Sequence, residues 1–313
     1  MKKLKFLIPV AVLAGVLVGL FVYFSTRPAV VGLCFRDCDD TATVSYREAL
    51  RDALKAKGYK VLIVDGNGNQ AVQDQQVEKL LEKEVDLLIV EPVMVSAVDS
   101  IQEKVGDTPL LFIDREPEKL DKGIFVGGDP GQVSLLQGQM IQQLPNNGDV
   151  NEDGFVACLL IQGPQDSLDT IQFEQVAAGI TGGKTIELQT VHGDWSRESG
   201  FALCARALST YGKDIEVVIC AGDAMTVGVA EAIAEGGRAM GENIFLITAG
   251  MNEDLLQDLR SGAVTGTVME NTEEKIRVIV ETAEKLLNGE SVEKKNYVNL
   301  VAVTQEDAKR YKG

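Results

Sequence analysis

Residues 85–117 read VDLLIVEPVMVSAVDSIQEKVGDTPLLFIDREP. Two apolar runs, Val85–Val90 and Leu110–Ile113, flank a stretch with helical spacing of apolar residues. Both runs are continuous rather than alternating, which is the signature of parallel strands covered on both faces. The second ends abruptly in charge, at Asp114-Arg115. Parallel neighbours need a crossover, so this stretch is a β-α-β unit of an open α/β sheet.

The same grammar extends in both directions. Upstream, Val30–Phe35 and Lys60–Val64 read as strands, with helices over Val44–Lys57 and Val72–Leu81, and a further short strand follows the quoted stretch at Ile124–Val126. Downstream the pattern begins again. Strands are expected at Phe155–Ile161, Thr185–Val191, Val217–Cys220, Phe245–Ile247 and Val264–Val268. Helices are expected at Ile171–Ile180, Glu198–Thr210, Ala224–Glu235, Asn252–Arg260 and Glu273–Leu287. Two α/β units joined near Gly127–Gly131 imply two lobes across a cleft. Ligands of open α/β sheets sit beyond the carboxyl ends of the strands. The cleft should therefore be lined by Asp37–Asp40, Asp114-Arg115, Gly163–Asp169, Gly222-Asp223, Gly250 and Glu270.

The chain has 313 residues, enough for two such lobes, and a formal charge of -17. That charge argues against nucleic acid, whose phosphates need clustered Lys and Arg. The charged run Glu273-Glu274-Lys275 reads as a solvated helix face. Five cysteines, an odd number with no CxxC, do not make a disulfide framework. Cys38 stands in a polar segment and is the thiol expected to react. His192 is the only histidine, and neither a Walker A motif nor GxGxxG occurs. An enzyme is not expected.

Met1-Lys2-Lys3-Leu4-Lys5 precedes an uncharged, mostly apolar run from Phe6 to Phe24, a signature of export. The run is about as long as a bilayer core requires, and no small-x-small cleavage site follows. Residues 1–29 are therefore read as an uncleaved signal anchor and short linker, with the body outside the cell membrane. Cleavage to a periplasmic or secreted form is the alternative.

Several segments in order resemble one family. They are Val31-Gly32-Leu33 leading to Asp39-Asp40, Asp114-Arg115-Glu116-Pro117, Val126-Gly127-Gly128-Asp129, Glu216-Val217-Val218 leading to Gly222-Asp223-Ala224-Met225, and Ser261 to Val268. Together they resemble the type I periplasmic sugar-binding proteins, nearest the galactose/glucose-binding branch. The resemblance implies a first lobe of residues 30–129 plus about 271–300 and a second of 130–270 plus about 301–313. It also implies closure about a three-strand hinge, a small polar ligand, and an ABC transporter permease or a membrane sensor kinase as partner.

By similarity, Asp40, Asp169 and Trp195 stand where family members hydrogen-bond and stack on a sugar. Asp114 and Arg115 resemble the pair of the ribose-binding branch. Ser167, Phe173, Ala42, Gly222, Gly250 and Glu270 depart from the galactose/glucose pattern, and Asp223 follows a strand end beside them. Carboxylates and Arg suit vicinal hydroxyls, and an indole suits the C–H face of a ring. Trp195 is either that stacking face or a cap on its lobe's core. Phe173 is either core or cleft. The excess of carboxylates over Arg115 favours a neutral or cationic, donor-rich ligand.

Asp149 to Gly154 reads D-x-N-x-D-G. It places oxygens at loop positions one, three and five, with a Gly for the turn. That is a calcium loop or an Asx-rich turn. The resemblance adds the Phe155 carbonyl and the Glu216 carboxylate as metal ligands, while Ala157 stands where the family has a side-chain oxygen.

Overall fold

The computed structural model describes residues 27–38, 41–165, 171–180, 184–250 and 253–310. Two six-stranded sheets organise them. The first part of the chain runs Val30–Phe35 (β1), Thr41–Ala56 (α1), Lys60–Asp65 (β2), Gln70–Glu82 (α2), Leu87–Val90 (β3), Asp99–Lys104 (α3), Leu110–Ile113 (β4) and Ile124–Gly127 (β5). The second runs Pro130–Gln142 (α4), Phe155–Gln162 (β6), Phe173–Gly179 (α5), Lys184–His192 (β7), Arg197–Tyr211 (α6), Val217–Ala221 (β8), Asp223–Glu235 (α7), Phe245–Ala249 (β9), Glu253–Ser261 (α8) and Gly266–Glu270 (β10). Thr272–Leu287 (α9), Lys295–Tyr297 (β11), Leu300–Thr304 (β12) and Gln305–Arg310 (α10) close the chain.

Strand order is β11-β5-β4-β3-β1-β2 in one sheet and β12-β10-β9-β8-β6-β7 in the other, the same winding twice. Every pairing in the first sheet is parallel. The second is parallel except at β12, which runs antiparallel to β10. The chain passes between sheets after β5, after β10 and between β11 and β12.

The apolar runs make the cores. β3 and β4 are wholly buried. One face packs on Val77 and Leu80 of α2, and the other on Leu50 and Leu54 of α1 with Ile279, Val280 and Ala283 of α9. Each such side chain contributes about 1.5–3 kcal/mol of transfer free energy. In the second lobe Cys158, Val217 and Ile219 pack with Met140 and Ile141 of α4, while Leu159, Val218 and Leu246 face α6 and α7. Asn69, Asp129, Ser196 and Asn271 cap α2, α4, α6 and α9 with side-chain oxygens, satisfying amides that a helix start leaves unpaired.

Several sequence expectations are corrected. β3 begins at Leu87, because Asp86 turns aside to accept the Val30 amide at 2.7 Å and pair with Arg27 at 2.5 Å. β10 begins at Gly266, after a turn at Gly262–Thr265 tied back to Asp258 and Leu246. α4, β11 and β12 were not foreseen. The expected N-terminal anchor helix lies outside the described residues. Among those described, no helix is long and apolar enough to cross a membrane. All five cysteines are free. Cys38 is half-buried, and burial with the Asp65 carboxylate pushes its pKa up, so it carries less thiolate than an ordinary cysteine.

Candidate ligand-binding cleft

A cleft of about 840 Å³ separates the carboxyl ends of the two sheets. From the first lobe, Arg36 follows β1, Glu91 follows β3 and Asp114-Arg115 follow β4. From the second, Gly222-Asp223 follow β8, Gly250 follows β9, and Glu270 ends β10. Trp195, Gln137 and Lys275 also line it.

Asp114 and Trp195 both hold positive φ, at 64° and 70°. That is uncommon for a residue with a Cβ and rarer for a bulky one. The indole of Trp195 lies over Gly163 and Gly222, where a Cβ at either position would overlap the ring. Gly222, a departure from the family pattern, thus makes room for the aromatic face. Gly250 does the same for Asp223, whose carboxylate fills the place of a side chain at 250.

Lys275 sits at the centre of the charge. Its ammonium pairs with Asp114 at 2.5 Å and Glu270 at 2.6 Å and lies 4.2 Å from the centroid of the Tyr46 ring. The Tyr46 hydroxyl donates to Asp114 at 3.4 Å. Burial pulls the Lys275 pKa down, but the two carboxylates outweigh it and hold it above its ordinary value. The solvated face expected for Glu273-Glu274-Lys275 is corrected here, since the Lys275 side chain is only 12% exposed. It neutralises part of the carboxylate excess inferred from sequence. Glu270 also accepts the Gly128 amide at 2.5 Å. One side chain therefore links two of the passages between the lobes.

Arg115 donates to the carbonyls of Pro92 and Val93, at 2.9 and 2.5 Å. Glu91 is buried, accepts the Arg36 amide at 3.2 Å, and faces its guanidinium at 3.5 Å. Burial first, and then the Asp114 charge, push its pKa up to about 7.

Of the residues singled out from sequence, Asp114, Arg115, Trp195, Asp223 and Glu270 line the cleft. Phe173 opens α5 and packs on the second lobe's core. Asp40, Ser167 and Asp169 lie outside the described residues. Sequence reading missed Lys275, Glu91, Arg36, Gln137 and Tyr46. Arg36 and Glu91 follow strand ends and were reachable by the rule that found Asp114.

Away from the cleft, Glu216 is 1% exposed. Its Oε1 accepts the amides of Val150 and Asn151, at 2.7 and 3.0 Å, and its Oε2 that of Ala157 at 2.9 Å. Asp149 accepts from the amides of Asp153 and Gly154, Asn151 from Asp153, and Asp153 from Phe155. The set is rich in oxygen and carboxylate, as a hard cation requires. In this arrangement those oxygens face loop amides, and among the described residues no group of three or more His, Cys, Asp or Glu side chains is gathered around one point.

Two α/β lobes with a polar cleft between the carboxyl ends of their sheets define a clamp-type binding protein. The chain belongs to the periplasmic binding protein domain family, which matches residues 31–291. Its members here are binding proteins, not enzymes. A protein of Rhizobium meliloti, provisionally named for rhizopine binding, is 26% identical, covering 99% of each chain. The D-galactose/methyl-galactoside binding periplasmic protein MglB of Haemophilus influenzae is 27% identical over 81% of this chain and 80% of its own. A periplasmic ribose ABC transporter structure from Conexibacter woesei superposes with a TM-score of 0.77 at 19% identity, covering 90% of this chain and 94% of the other.

Proposed function

We propose that this protein is an extracytoplasmic solute-binding subunit that closes on a sugar or a related polyol and delivers it to an ABC-type permease. The observation that carries the reading is the cleft itself. Trp195 offers a flat apolar face in the same cleft as Asp114, Arg115 and Glu270, the chemistry a pyranose, furanose or cyclitol ring requires. The relatives named for rhizopine and galactose binding support this class of ligand. Among the described lining residues, Arg36, Arg115 and Lys275 face Glu91, Asp114, Asp223 and Glu270. That balance favours a neutral or cationic ligand over a sugar acid. Calorimetry with D-galactose, D-ribose, xylitol, myo-inositol and an amino sugar tests it. Saturable binding of one or more neutral or cationic members is expected, and preference for a uronic acid over its neutral parent would refute it.

The anchor reading of residues 1–29 joins this proposal as the means of holding the clamp beside its membrane partner. A sensor kinase as that partner is the alternative. Intact-mass analysis of the exported chain tests the anchor, and a soluble form beginning near residue 28 would remove it.

Calcium at Asp149, Asn151, Asp153, the Phe155 carbonyl and Glu216 is part of the same proposal. The loop order and the buried Glu216 support it. Ion binding would exchange several loop N–H bonds for metal bonds. Chelator should lower the melting temperature, and Asp153→Ala should abolish that response. An unchanged curve would reduce the loop to a turn.

A further inference from the structure

Among the described residues, one side chain of the cleft is left unpaired at both polar atoms. Gln137, on α4, is 1% exposed and lines the cleft from the second lobe. Neither its Oε1 nor its Nε2 has a hydrogen-bond partner among the described residues. Of the other buried amides, Gln162 keeps one partner, its Nε2 donating to the Ile171 carbonyl at 3.3 Å while its Oε1 stays open, and two more are spent internally at both ends. Gln73 donates to the Glu91 carbonyl at 2.8 Å and accepts the Val93 amide at 2.9 Å. Gln102 donates to the Lys119 carbonyl at 3.0 Å and accepts the Lys122 amide at 2.7 Å. Ser134, one turn before Gln137 and equally buried, accepts the Gln172 amide at 2.9 Å.

A buried amide left open at both ends destabilises the ligand-free fold, and an apolar side chain of the same shape would avoid that cost. The helix that carries it is also fixed. Gly138 lies against the Val176 carbonyl and Gly179 against the Leu135 carbonyl, so close that a Cβ at either would overlap the opposing backbone. α4 and α5 therefore meet backbone to backbone, and the turn bearing Gln137 has one seat.

We propose that Gln137 is a specificity-determining residue of the cleft, its carboxamide hydrogen-bonding at both ends to a ligand with a donor and an acceptor on adjacent atoms. Vicinal hydroxyls meet that condition, one donating to Oε1 while the other accepts from Nε2. A carboxylate satisfies only Nε2, and an ammonium only Oε1. At this position the site selects a neutral diol, even where a charge elsewhere on the ligand meets Asp223 or Glu270. The inference rests on the cleft being the ligand site.

The test uses the full chain and Gln137→Met, which keeps the length and removes both polar atoms. Calorimetry is run with D-galactose, D-ribose, xylitol and myo-inositol, beside melting of the ligand-free protein. A compound that binds the wild type should bind the variant at least about ten-fold more weakly, while the ligand-free melting temperature holds or rises. Affinity within about two-fold of wild type would overturn the proposal, as would a ligand-free melting temperature lower by more than about 2 °C, the mark of a structural amide. If no compound binds the wild type, the cleft reading fails and the proposal falls with it, whereas wild-type binding left unchanged in the variant overturns the proposal alone.

Discussion

Replacing Lys275 by Met removes the one ammonium that the cleft shares between Asp114 and Glu270, at 2.5 and 2.6 Å. What remains is two carboxylates, with side-chain exposures of 17% and 23%, and a small set of donors. Asp114 keeps the Tyr46 hydroxyl, and Glu270 keeps the Gly128 amide. Breaking a buried ion pair by deleting one partner costs about 3–5 kcal/mol. Partial exposure screens these groups, so about 2–3 kcal/mol is the better figure here. At roughly 2–4 °C per kcal/mol for a domain of this size, the melting temperature should fall by roughly 5–10 °C at pH 8. Lys275→Arg should recover part of the loss. Calorimetric melting of wild type and both variants at pH 8 is the assay. A fall below about 2 °C would show that the charge network is solvated and the reasoning wrong.

Glu91, with its pKa raised from 4.5 to about 7, binds its proton more tightly folded than unfolded. Its contribution to stability is complete below pH 4.5 and is lost as pH rises through about 7, a change of about 3 kcal/mol. Glu91→Gln should flatten that part of the melting-temperature profile between pH 5 and 8, and an unchanged slope would exclude Glu91 as its source. Gly163→Ala should push the indole of Trp195 out of its seat and weaken ligand binding by about 1 kcal/mol or more, the scale of a lost stack, as read by calorimetry. Trp195→Ala should weaken it by a similar amount, and a double variant no weaker than either single would show the two act through one ring.

Much of this architecture is legible in the residues. The continuous apolar runs announce parallel, doubly covered strands, and the rule that ligands sit beyond strand ends finds Asp114, Asp223 and Glu270. What the sequence hides is hidden for physical reasons. α4 lacks a clear apolar stripe because Gln137 and Gly138 face the cleft and a neighbouring backbone rather than a core. β11 is a three-residue edge strand, Lys295-Asn296-Tyr297, with no apolar run, whereas β12 carries the run Leu300-Val301-Ala302-Val303 at a sheet edge with two of its side chains exposed and was within reach of the sequence. Lys275 reads as surface because it follows two acids in the first turn of an amphipathic helix, and only the fold brings Asp114, 161 residues away in sequence, to meet it. The segment Asp149–Gly154 reads identically as metal site or turn, since Asx oxygens serve either.

The swapped ends of the two sheets have a consequence for how the chain is made. The first sheet is finished by β11 and covered by α9, both synthesised after nearly all of the second lobe. The second sheet in turn waits for β12, only a few residues later. Neither lobe is a contiguous stretch of polypeptide, so a growing chain holds two open edges until about residue 300 has emerged. The lobes then become complete almost together. Such an order suits a chain that must cross a membrane unfolded, because no finished lobe forms early enough to block its passage.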